Sequence, residues 1–198
     1  MRFFVALLPP PELVRDLAAT VAAVTGTAGA GEGGPDRPRG LPGARWVDPA
    51  RWHVTLAFLG PVDPATRPAL DERLGRVARR HPPARLRVDG AGRFGDRVLW
   101  ARVSGELGAL ATGVRRAAVR AGALHGDDRP LRAHLTLARV PAGAEVDLRG
   151  LVRALDEAIA PLPWSAEAIT LMSSAGGPTP AYSVEGRWDL RGSPAAGR

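Results

Sequence analysis

The sequence contains no cysteine and no lysine, and its apolar runs are short. Without cysteine, the chain cannot form disulfides, a thiolate zinc site or an iron–sulfur cluster, and it has no cysteine nucleophile. The first apolar run, from Phe3 to Leu8, ends at three prolines and is too short for the core of a signal peptide. No later run approaches the ~18 apolar residues of a membrane span. We therefore expect a cytoplasmic protein without a membrane partner.

Because lysine is absent, arginine supplies all 27 basic residues, and these exceed the 20 acidic residues to give a formal net charge of +7. Such an excess favours a polyanionic partner such as a nucleic acid. Arginine together with abundant alanine, glycine and proline is also what a GC-rich genome produces, whatever the protein binds. Composition alone leaves both explanations open.

The hydrophobic periodicity predicts an α+β protein built from a repeated unit. A strand, helix, strand, helix and strand are followed by the same five elements and one further strand. We expect residues 1–198 to form one domain with two similar lobes that divide near 90–96, a flexible loop at 26–43 and a frayed tail at 192–198. The predicted strands lie at 3–8, 52–59, 85–89, 98–103, 133–140, 167–173 and 182–188, and the helices begin near 11, 64, 107 and 148.

Two predicted strands carry the same motif, His53-Val54-Thr55-Leu56-Ala57 and His134-Leu135-Thr136-Leu137-Ala138. Side chains alternate along a strand, so each histidine shares a face with its threonine while the leucines point to the core. Two such histidine–threonine matches are expected by chance in about one of 80 sequences of this composition. Duplication of a purely structural, hydrogen-bonded histidine is the alternative to a catalytic role.

Two imidazoles and two hydroxyl groups suit one kind of chemistry. At neutral pH one histidine can accept a proton from water while the other donates a proton to a leaving oxygen. Threonine hydroxyls are short donors that suit the non-bridging oxygens of a phosphate. The set fits in-line attack on a phosphodiester, particularly a strained cyclic one, and requires no metal or organic cofactor. The symmetry of the motifs leaves open which histidine is the acid.

The paired motifs resemble those of the 2H phosphoesterase superfamily. The longer strings from Arg51 to Gly60 and from His134 to Arg139, with the opening Arg2 to Ala6, resemble the bacterial and archaeal RNA 2′,3′-cyclic phosphodiesterases, historically called 2′-5′ RNA ligases. The resemblance covers roughly residues 2 to 190. It implies the LigT-like α+β fold, in which two largely antiparallel sheets flank a central groove and the helices lie outside.

The resemblance also implies roles for the motif residues. His53 would donate a proton to the 3′ leaving oxygen, His134 would accept a proton from water, and Thr55 and Thr136 would hold the phosphate oxygens. The substrate would be RNA with 2′,3′-cyclic phosphate ends, tRNA fragments among them, and the product a 2′-phosphomonoester. The protein would be a monomer, with weak reversible 2′-5′ ligation compatible with the same residues. Ala133 departs from the family, which often has proline there.

Two alternatives remain open at this point. The same chemistry could act on small nucleotides, such as mononucleoside or ADP-ribose cyclic phosphates. The chain could also be an RNA-binding module without catalysis, which would show strongly salt-dependent binding and no turnover.

Other residues are interpreted as structural. Strand alternation places Arg139 on the face opposite His134, which favours a surface role. His81 is expected at a helix end, and His125, beside two aspartates, in an exposed turn rather than a metal site. Most of the larger aromatic residues are predicted to pack in the core or between the lobes: Trp46, Trp52, Phe58, Trp100, Trp164, Tyr182 and Trp188.

Overall fold

The computed structural model describes residues 1–26, 43–123, 130–175 and 181–193. The expected loop at 26–43 and tail at 192–198 lie almost wholly outside these ranges, as does His125. Within them the chain forms nine strands and four helices. The strands are β1 (Arg2–Leu7), β2 (Arg45–Trp46), β3 (Val54–Gly60), β4 (Ala84–Phe94), β5 (Val98–Gly105), β6 (His134–Arg139), β7 (Leu162–Ala166), β8 (Ala168–Ser174) and β9 (Tyr182–Asp189). The helices are α1 (Pro11–Thr25), α2 (Arg67–Arg80), α3 (Gly108–Arg120) and α4 (Leu148–Ala158).

Local sequence signals place the ends of the helices. Pro11 opens α1, where its missing N–H costs no hydrogen bond, and Gly26 ends the helix in the left-handed region with a φ of 72°. At the start of α4 the Asp147 side chain accepts a hydrogen bond of 2.9 Å from the backbone N–H of Gly150. These caps fix where α1 and α4 begin and how α1 ends.

The predicted order of elements is confirmed, and to the seven predicted strands the structure adds two, the two-residue β2 and the five-residue β7. Pro161 and Pro163 suppress the strand pattern in the β7 segment. The structure places β7 at the edge of its sheet, paired only with β4, and an edge strand tolerates proline because one side of its backbone needs no partner. This segment therefore forms a strand because it lies at the edge of the sheet, and that position depends on the tertiary fold.

The strands form two antiparallel sheets. The first sheet has the order β3-β1-β8-β9, and the second sheet has the order β2-β6-β5-β4-β7. Each sheet combines strands from both halves of the chain. Residues 90–96, where the two lobes were expected to divide, lie in β4 and its turn into β5, and these two strands pair within the second sheet. The lobes are therefore not the two halves of the chain. The central strand β1, whose Val5 and Leu7 are fully buried, is paired with β3 on one side and with β8 on the other.

Each sheet is contacted by its own pair of helices. Helices α1 and α4 contact each other and the second sheet through β7 and β4, whereas α2 and α3 contact each other and the first sheet through β9 and β3. One apolar core joins both sheets, with fully buried leucines from each motif strand. Strands β3 and β6 also contact each other, so the fold brings the two motifs together. None of the helices in the described ranges is long and apolar enough to cross a membrane.

Candidate active site

Each motif strand contains a β-bulge directly after its threonine. In the first sheet Thr55 is opposite Ala6 and Ala57 is opposite Val5, so Leu56 is an extra residue without a partner. In the second sheet Thr136 is opposite Trp100 and Ala138 is opposite Leu99, so Leu137 is the extra residue. Both extra leucines are fully buried. The two motifs thus share backbone geometry as well as sequence, and bulges of this kind redirect the side chains that follow.

The two imidazoles are held by equivalent hydrogen bonds. The Nδ1 atom of His53 lies 2.8 Å from the carbonyl oxygen of Arg51, and the Nδ1 atom of His134 lies 2.6 Å from that of Arg132. A carbonyl only accepts, so Nδ1 carries the hydrogen and donates it. In the neutral form of each ring, Nε2 is then the unprotonated nitrogen. Each histidine therefore keeps Nε2 for proton transfer.

Aromatic side chains enclose His53. Its ring centroid is 4.8 Å from that of Phe4 and 5.5 Å from that of Tyr182, which meets it edge-on. The Arg51 guanidinium lies over the Tyr182 ring, with its Cζ atom 4.6 Å from the ring centroid. These contacts fix the orientation of the imidazole, because a ring packed against two others cannot rotate freely.

His134 has a similar enclosure from the second sheet. Its ring is perpendicular to that of Phe94 at a centroid distance of 4.9 Å, and Trp100 lies 6.0 Å away. Trp100 and Tyr182 were expected in the core or between the lobes, and the structure places them against His134 and His53. No local sequence signal marks them, because they reach the imidazoles from strands other than the motif strands.

Burial lowers the pKa of both imidazoles below the ordinary value of 6.5. For His53 the hydrogen bond to the Arg51 carbonyl opposes this effect, and the charges of His134, Arg51 and Arg139 lower the pKa further. For His134 the hydrogen bond to the Arg132 carbonyl raises the pKa, and the charge of Arg139 lowers it. Because a proton on His134 disfavours one on His53, the pair tends to hold one proton rather than two. A singly protonated pair supplies one acid and one base.

The expectation that Arg139 faces away from His134 is wrong. Arg139 is opposite Val98, and Val98 lies two residues along β5 from Trp100, the partner of Thr136. Directly paired residues of antiparallel strands project from the same face, so Arg139 shares the face of Thr136. The bulge at Leu137 reverses the alternation on which the expectation depended.

The bulge at Leu56 has the same consequence in the first motif. Phe58 is opposite Phe4, which contacts His53, so Phe58 lies on the active-site face. Its side chain is 50% exposed, so of the two predicted places, the core and the space between the lobes, the core is wrong. Phe58 in one motif and Arg139 in the other therefore occupy equivalent positions, with different chemistry.

The threonines share a face with these groups. Thr55 and Thr136 are half-buried, and neither hydroxyl has a hydrogen-bond partner among the residues that the structure describes. Each hydroxyl stands two residues beyond the histidine of its own motif, so the four side chains predicted from the sequence come together from β3 and β6. Four polar groups with free donor or acceptor capacity can hold and protonate a small anionic group.

The remaining candidates lie away from this site. His81 follows α2, and its Nδ1 atom is 2.9 Å from the carbonyl oxygen of Val77, which confirms its place at a helix end. The other tryptophans pack in or against the core as predicted: Trp46, Trp52, Trp164 and Trp188. In the part of the chain that the structure describes, no three His, Asp or Glu side chains are grouped closely enough to hold a metal ion.

The sequence matches a family and several curated proteins. A family model described as the 2′-5′ RNA ligase superfamily matches residues 35–178. A protein of Geobacillus stearothermophilus named RNA 2′,3′-cyclic phosphodiesterase is 36% identical over 110 residues, which are 52% of this chain and 35% of that protein. A protein of Archaeoglobus fulgidus with the same name is 35% identical over 107 residues, 51% of this chain and 58% of that protein. The matched segment thus spans less than two thirds of each relative.

Solved structures match almost the whole chain. A protein of Thermus thermophilus superposes with a TM-score of 0.72 at 29% identity, covering 97% of this chain and 99% of that one. Escherichia coli LigT in complex with 3′-AMP superposes with a TM-score of 0.67 at 26% identity, covering 96% and 97%. LigT in complex with NADP+ gives a TM-score of 0.66 at 27% identity, covering 96% of each chain. The two-sheet architecture is therefore the LigT-like α+β fold.

Proposed function

This chain belongs to the 2′-5′ RNA ligase superfamily, and from that membership we propose that it hydrolyses RNA 2′,3′-cyclic phosphate ends to 2′-phosphomonoesters. The observation that carries the proposal is the pair of imidazoles whose Nδ1 atoms are both engaged by backbone carbonyls, beside two threonine hydroxyls. The name shared by the curated relatives supports the choice of substrate.

The reaction requires a base on one side of the phosphorus and an acid on the other. His134 Nε2 accepts a proton from water, and the water oxygen forms a bond to phosphorus. The bond between phosphorus and O3′ breaks, and O3′ receives the proton of His53 Nε2–H. The 2′-phosphate remains on the ribose, and one proton has passed from water to His134 while another has passed from His53 to the product.

The threonines stabilise the charge that develops on the phosphate. As water attacks, negative charge builds on the two non-bridging oxygens, and a hydroxyl donor aimed at each is worth more there than in the ground state. Thr55 and Thr136 come from opposite sheets, so each can donate to a different oxygen. Neither hydroxyl is engaged by the residues that the structure describes, which suits this role, because an engaged donor would lose a bond to serve the substrate.

A substrate with sulfur in place of O3′ tests which histidine is the acid. The resemblance, rather than the two-fold geometry, assigns the acid to His53. A thiolate leaves without a proton, so the variant that lacks the acid regains activity on this substrate while the variant that lacks the base does not. We expect His53→Ala to be rescued at least ten-fold more than His134→Ala. Rescue of His134→Ala instead would reverse the assignment.

The proposed activity is tested by incubating the purified protein with an oligoribonucleotide that ends in a 2′,3′-cyclic phosphate. A product resistant to an enzyme specific for 3′-phosphate ends, but sensitive to a general phosphatase, identifies the 2′-phosphomonoester. The residues invoked need no metal, so turnover is expected to persist in chelator. Tight RNA binding without any turnover would contradict the proposal and favour a binding module.

Small nucleotides remain a second candidate substrate class. LigT, which resembles this chain over nearly its whole length, has been solved with 3′-AMP and with NADP+, and these complexes support small nucleotides as a second class. Comparison of kcat/KM for an oligonucleotide and for a mononucleoside cyclic phosphate separates the two classes. We propose further that the protein acts as a monomer in the cytoplasm, with tRNA fragments among its substrates. Weak reversible 2′-5′ ligation would use the same residues, with the 5′-hydroxyl of an RNA attacking phosphorus in place of water and O3′ leaving.

A further inference from the structure

Strand β9 contains a third bulge, and its extra residue is Glu185. Leu171 is opposite Gly186 and Met172 is opposite Val184, so Glu185 has no partner in β8. The bulges in the two motif strands hold buried leucines at this position, whereas this bulge holds a carboxylate. Packing against the core therefore does not account for this residue.

This bulge determines which face of the sheet Tyr182 occupies. Trp188 packs toward Gly75 of α2, on the helix side of the sheet. Strict alternation from Trp188 would place Tyr182 on that side as well, because the two are an even number of residues apart. The extra residue Glu185 reverses the alternation, and the Tyr182 ring centroid instead lies 5.5 Å from that of His53. The contact of Tyr182 with His53 therefore depends on the bulge.

Two side chains on the helix side bind Glu185. The hydroxyl of Ser173, which is 2% exposed, donates a hydrogen bond of 2.7 Å to Glu185 Oε1. Arg67, at the start of α2, donates a hydrogen bond of 2.6 Å to the backbone carbonyl of Glu185, and its Nη1 atom lies 3.7 Å from Oε2. Both the side chain and the backbone of the bulge residue are therefore held from that side.

Arg67 is itself fixed by its neighbours. Its Nε atom donates a hydrogen bond of 2.7 Å to Asp71 Oδ1, and its Cζ atom lies 6.0 Å from the ring centroid of Phe3. Phe3 is in turn opposite Ser173 in the sheet. The contacts of Glu185 thus connect β9 with α2, β1 and β8. If β9 slipped, the buried Ser173 hydroxyl and the Arg67 guanidinium would lose their partners, so the network favours one arrangement of the bulge.

Glu185 and Tyr182 lie on opposite faces of the same strand, so Glu185 acts on the active site through the backbone of β9. We propose that Glu185 is a positioning residue, which anchors the bulge that holds Tyr182 against His53 and so orients the imidazole for proton transfer. A proton-transfer group works only when its geometry is held closely. The inference rests on the proposed function, because the orientation of His53 affects turnover only if His53 transfers a proton.

Removal of the Glu185 carboxylate gives the kinetic test. A misplaced acid slows the chemical step, so Glu185→Ala is expected to lower kcat on a cyclic-phosphate substrate about ten-fold and to change KM less than about two-fold. Glu185→Gln keeps an oxygen acceptor for the Ser173 hydroxyl and should retain most of the activity. Asp71→Ala is the matched control, because it removes another partner of Arg67 and leaves the bulge residue in place. A loss of kcat in Asp71→Ala equal to that in Glu185→Ala would overturn the proposal.

The pH profile separates positioning from a general loss of folded protein. Tyr182 covers His53, and its displacement would admit water to the imidazole, so the pKa of His53 should rise toward its ordinary value. The optimum of kcat/KM is then expected at higher pH in Glu185→Ala than in the wild type. The other charged groups that act on His53 are the same in both proteins: His134, Arg51 and Arg139. A lower rate with an unmoved profile would indicate a merely structural role and overturn the proposal.

Two further variants test whether Glu185 acts through Tyr182. In a protein that already carries Tyr182→Ala, the change Glu185→Ala should lower kcat less than about two-fold further, because the group through which it acts is gone. A further ten-fold loss would overturn the proposal. Ser173→Ala is the milder variant and serves where Glu185→Ala does not fold. It should lower kcat and move the pH optimum in the same direction, and wild-type values of both would overturn the proposal.

Tyr182 is the single tyrosine of the sequence, so its ring can be followed directly and without turnover. Tyrosine labelled with ¹³C in the ring gives the NMR signals of one residue, and their shifts depend on the neighbouring rings of Phe4 and His53. Glu185→Ala is expected to move these signals, and Asp71→Ala is expected to leave them in place. Unmoved signals in a folded Glu185→Ala protein would overturn the inference while turnover by the wild type still supports the proposed function. Moved signals in a protein without any turnover would support the anchor and overturn the hydrolytic function alone.

Discussion

At the scale of single residues, the two histidines make equivalent hydrogen bonds in different surroundings. Each donates from Nδ1 to the carbonyl two residues earlier and packs against a phenylalanine. The residue types and the two-residue spacing were readable from the sequence, since strand alternation places His and Thr side by side. The partners of the imidazoles were not readable, because Phe4, Tyr182, Phe94 and Trp100 reach the site from other strands.

Removal of either imidazole tests their catalytic role. His53→Ala and His134→Ala are each expected to lower kcat about 10²–10⁴-fold on a cyclic-phosphate oligonucleotide, because each removes one proton-transfer group. Circular dichroism and thermal unfolding serve as controls for folding. His81→Ala, a histidine at the end of α2, provides a matched variant whose turnover should stay at the wild-type level. Wild-type turnover in both motif variants would contradict the acid–base mechanism.

The lowered pKa values predict the pH profile. The protein with one proton on the pair is most populated between the two pKa values, and burial places both below 6.5. The optimum of kcat/KM, which reports the free protein, is therefore expected on the acid side of pH 6.5. A bound phosphodiester anion raises the pKa of a nearby imidazole, so the optimum of kcat should lie at higher pH. An optimum of kcat/KM above pH 7 would contradict the direction of these shifts.

At the scale of elements, β-bulges determine which face of the sheet some side chains occupy, and simple strand alternation predicts that face wrongly. Periodicity located both motif strands, but a bulge after each threonine reverses the faces of the residues that follow, Phe58 and Arg139. A third irregularity lies in β9, where Gly186 is opposite Leu171 and Val184 is opposite Met172. It separates Tyr182, which contacts His53, from Trp188, which packs toward Gly75 of α2. A bulge arises from the pairing of two strands, and one strand's sequence does not show it.

The cap of α4 gives a prediction for an element. The Asp147 side chain accepts a hydrogen bond from the Gly150 N–H, one of the donors that a helix start leaves without an internal partner. Asp147→Ala is expected to lower the free energy of unfolding by about 1 kcal/mol. Asp147→Asn keeps an oxygen acceptor and should retain most of the stability in a urea titration. An Asn variant as unstable as the Ala variant would show that the cap is not the cause.

At the scale of the whole molecule, both motifs contribute to one pH dependence of stability. The unfolded imidazoles have the ordinary pKa of 6.5, and the folded ones have lower values. Between these values the unfolded chain binds more protons, so the free energy of unfolding is expected to fall as the pH decreases below about 6.5. The contribution is complete above that pH, where both forms are neutral.

Urea titrations at pH 7.5 and 5.5 measure this dependence. The double variant His53→Asn with His134→Asn lacks both groups and should show a smaller loss of stability between the two pH values. His81 and His125 are present in both proteins and cancel in the comparison. An equal loss in the wild type and the double variant would place the pH dependence elsewhere in the molecule.

The sequence by itself determined which side chains are the candidates for the chemistry of this protein. The absence of cysteine and the repeated histidine–threonine spacing restrict the reacting groups, and they do so locally, because two residues in a strand set which side chains stand together. The order of the helices and most strands also followed from local patterns. The tertiary structure decided the rest, because strand pairing is non-local. Both halves of the chain combine in each sheet, an edge strand accepts proline, and a bulge in each motif strand turns Phe58 and Arg139 toward the site.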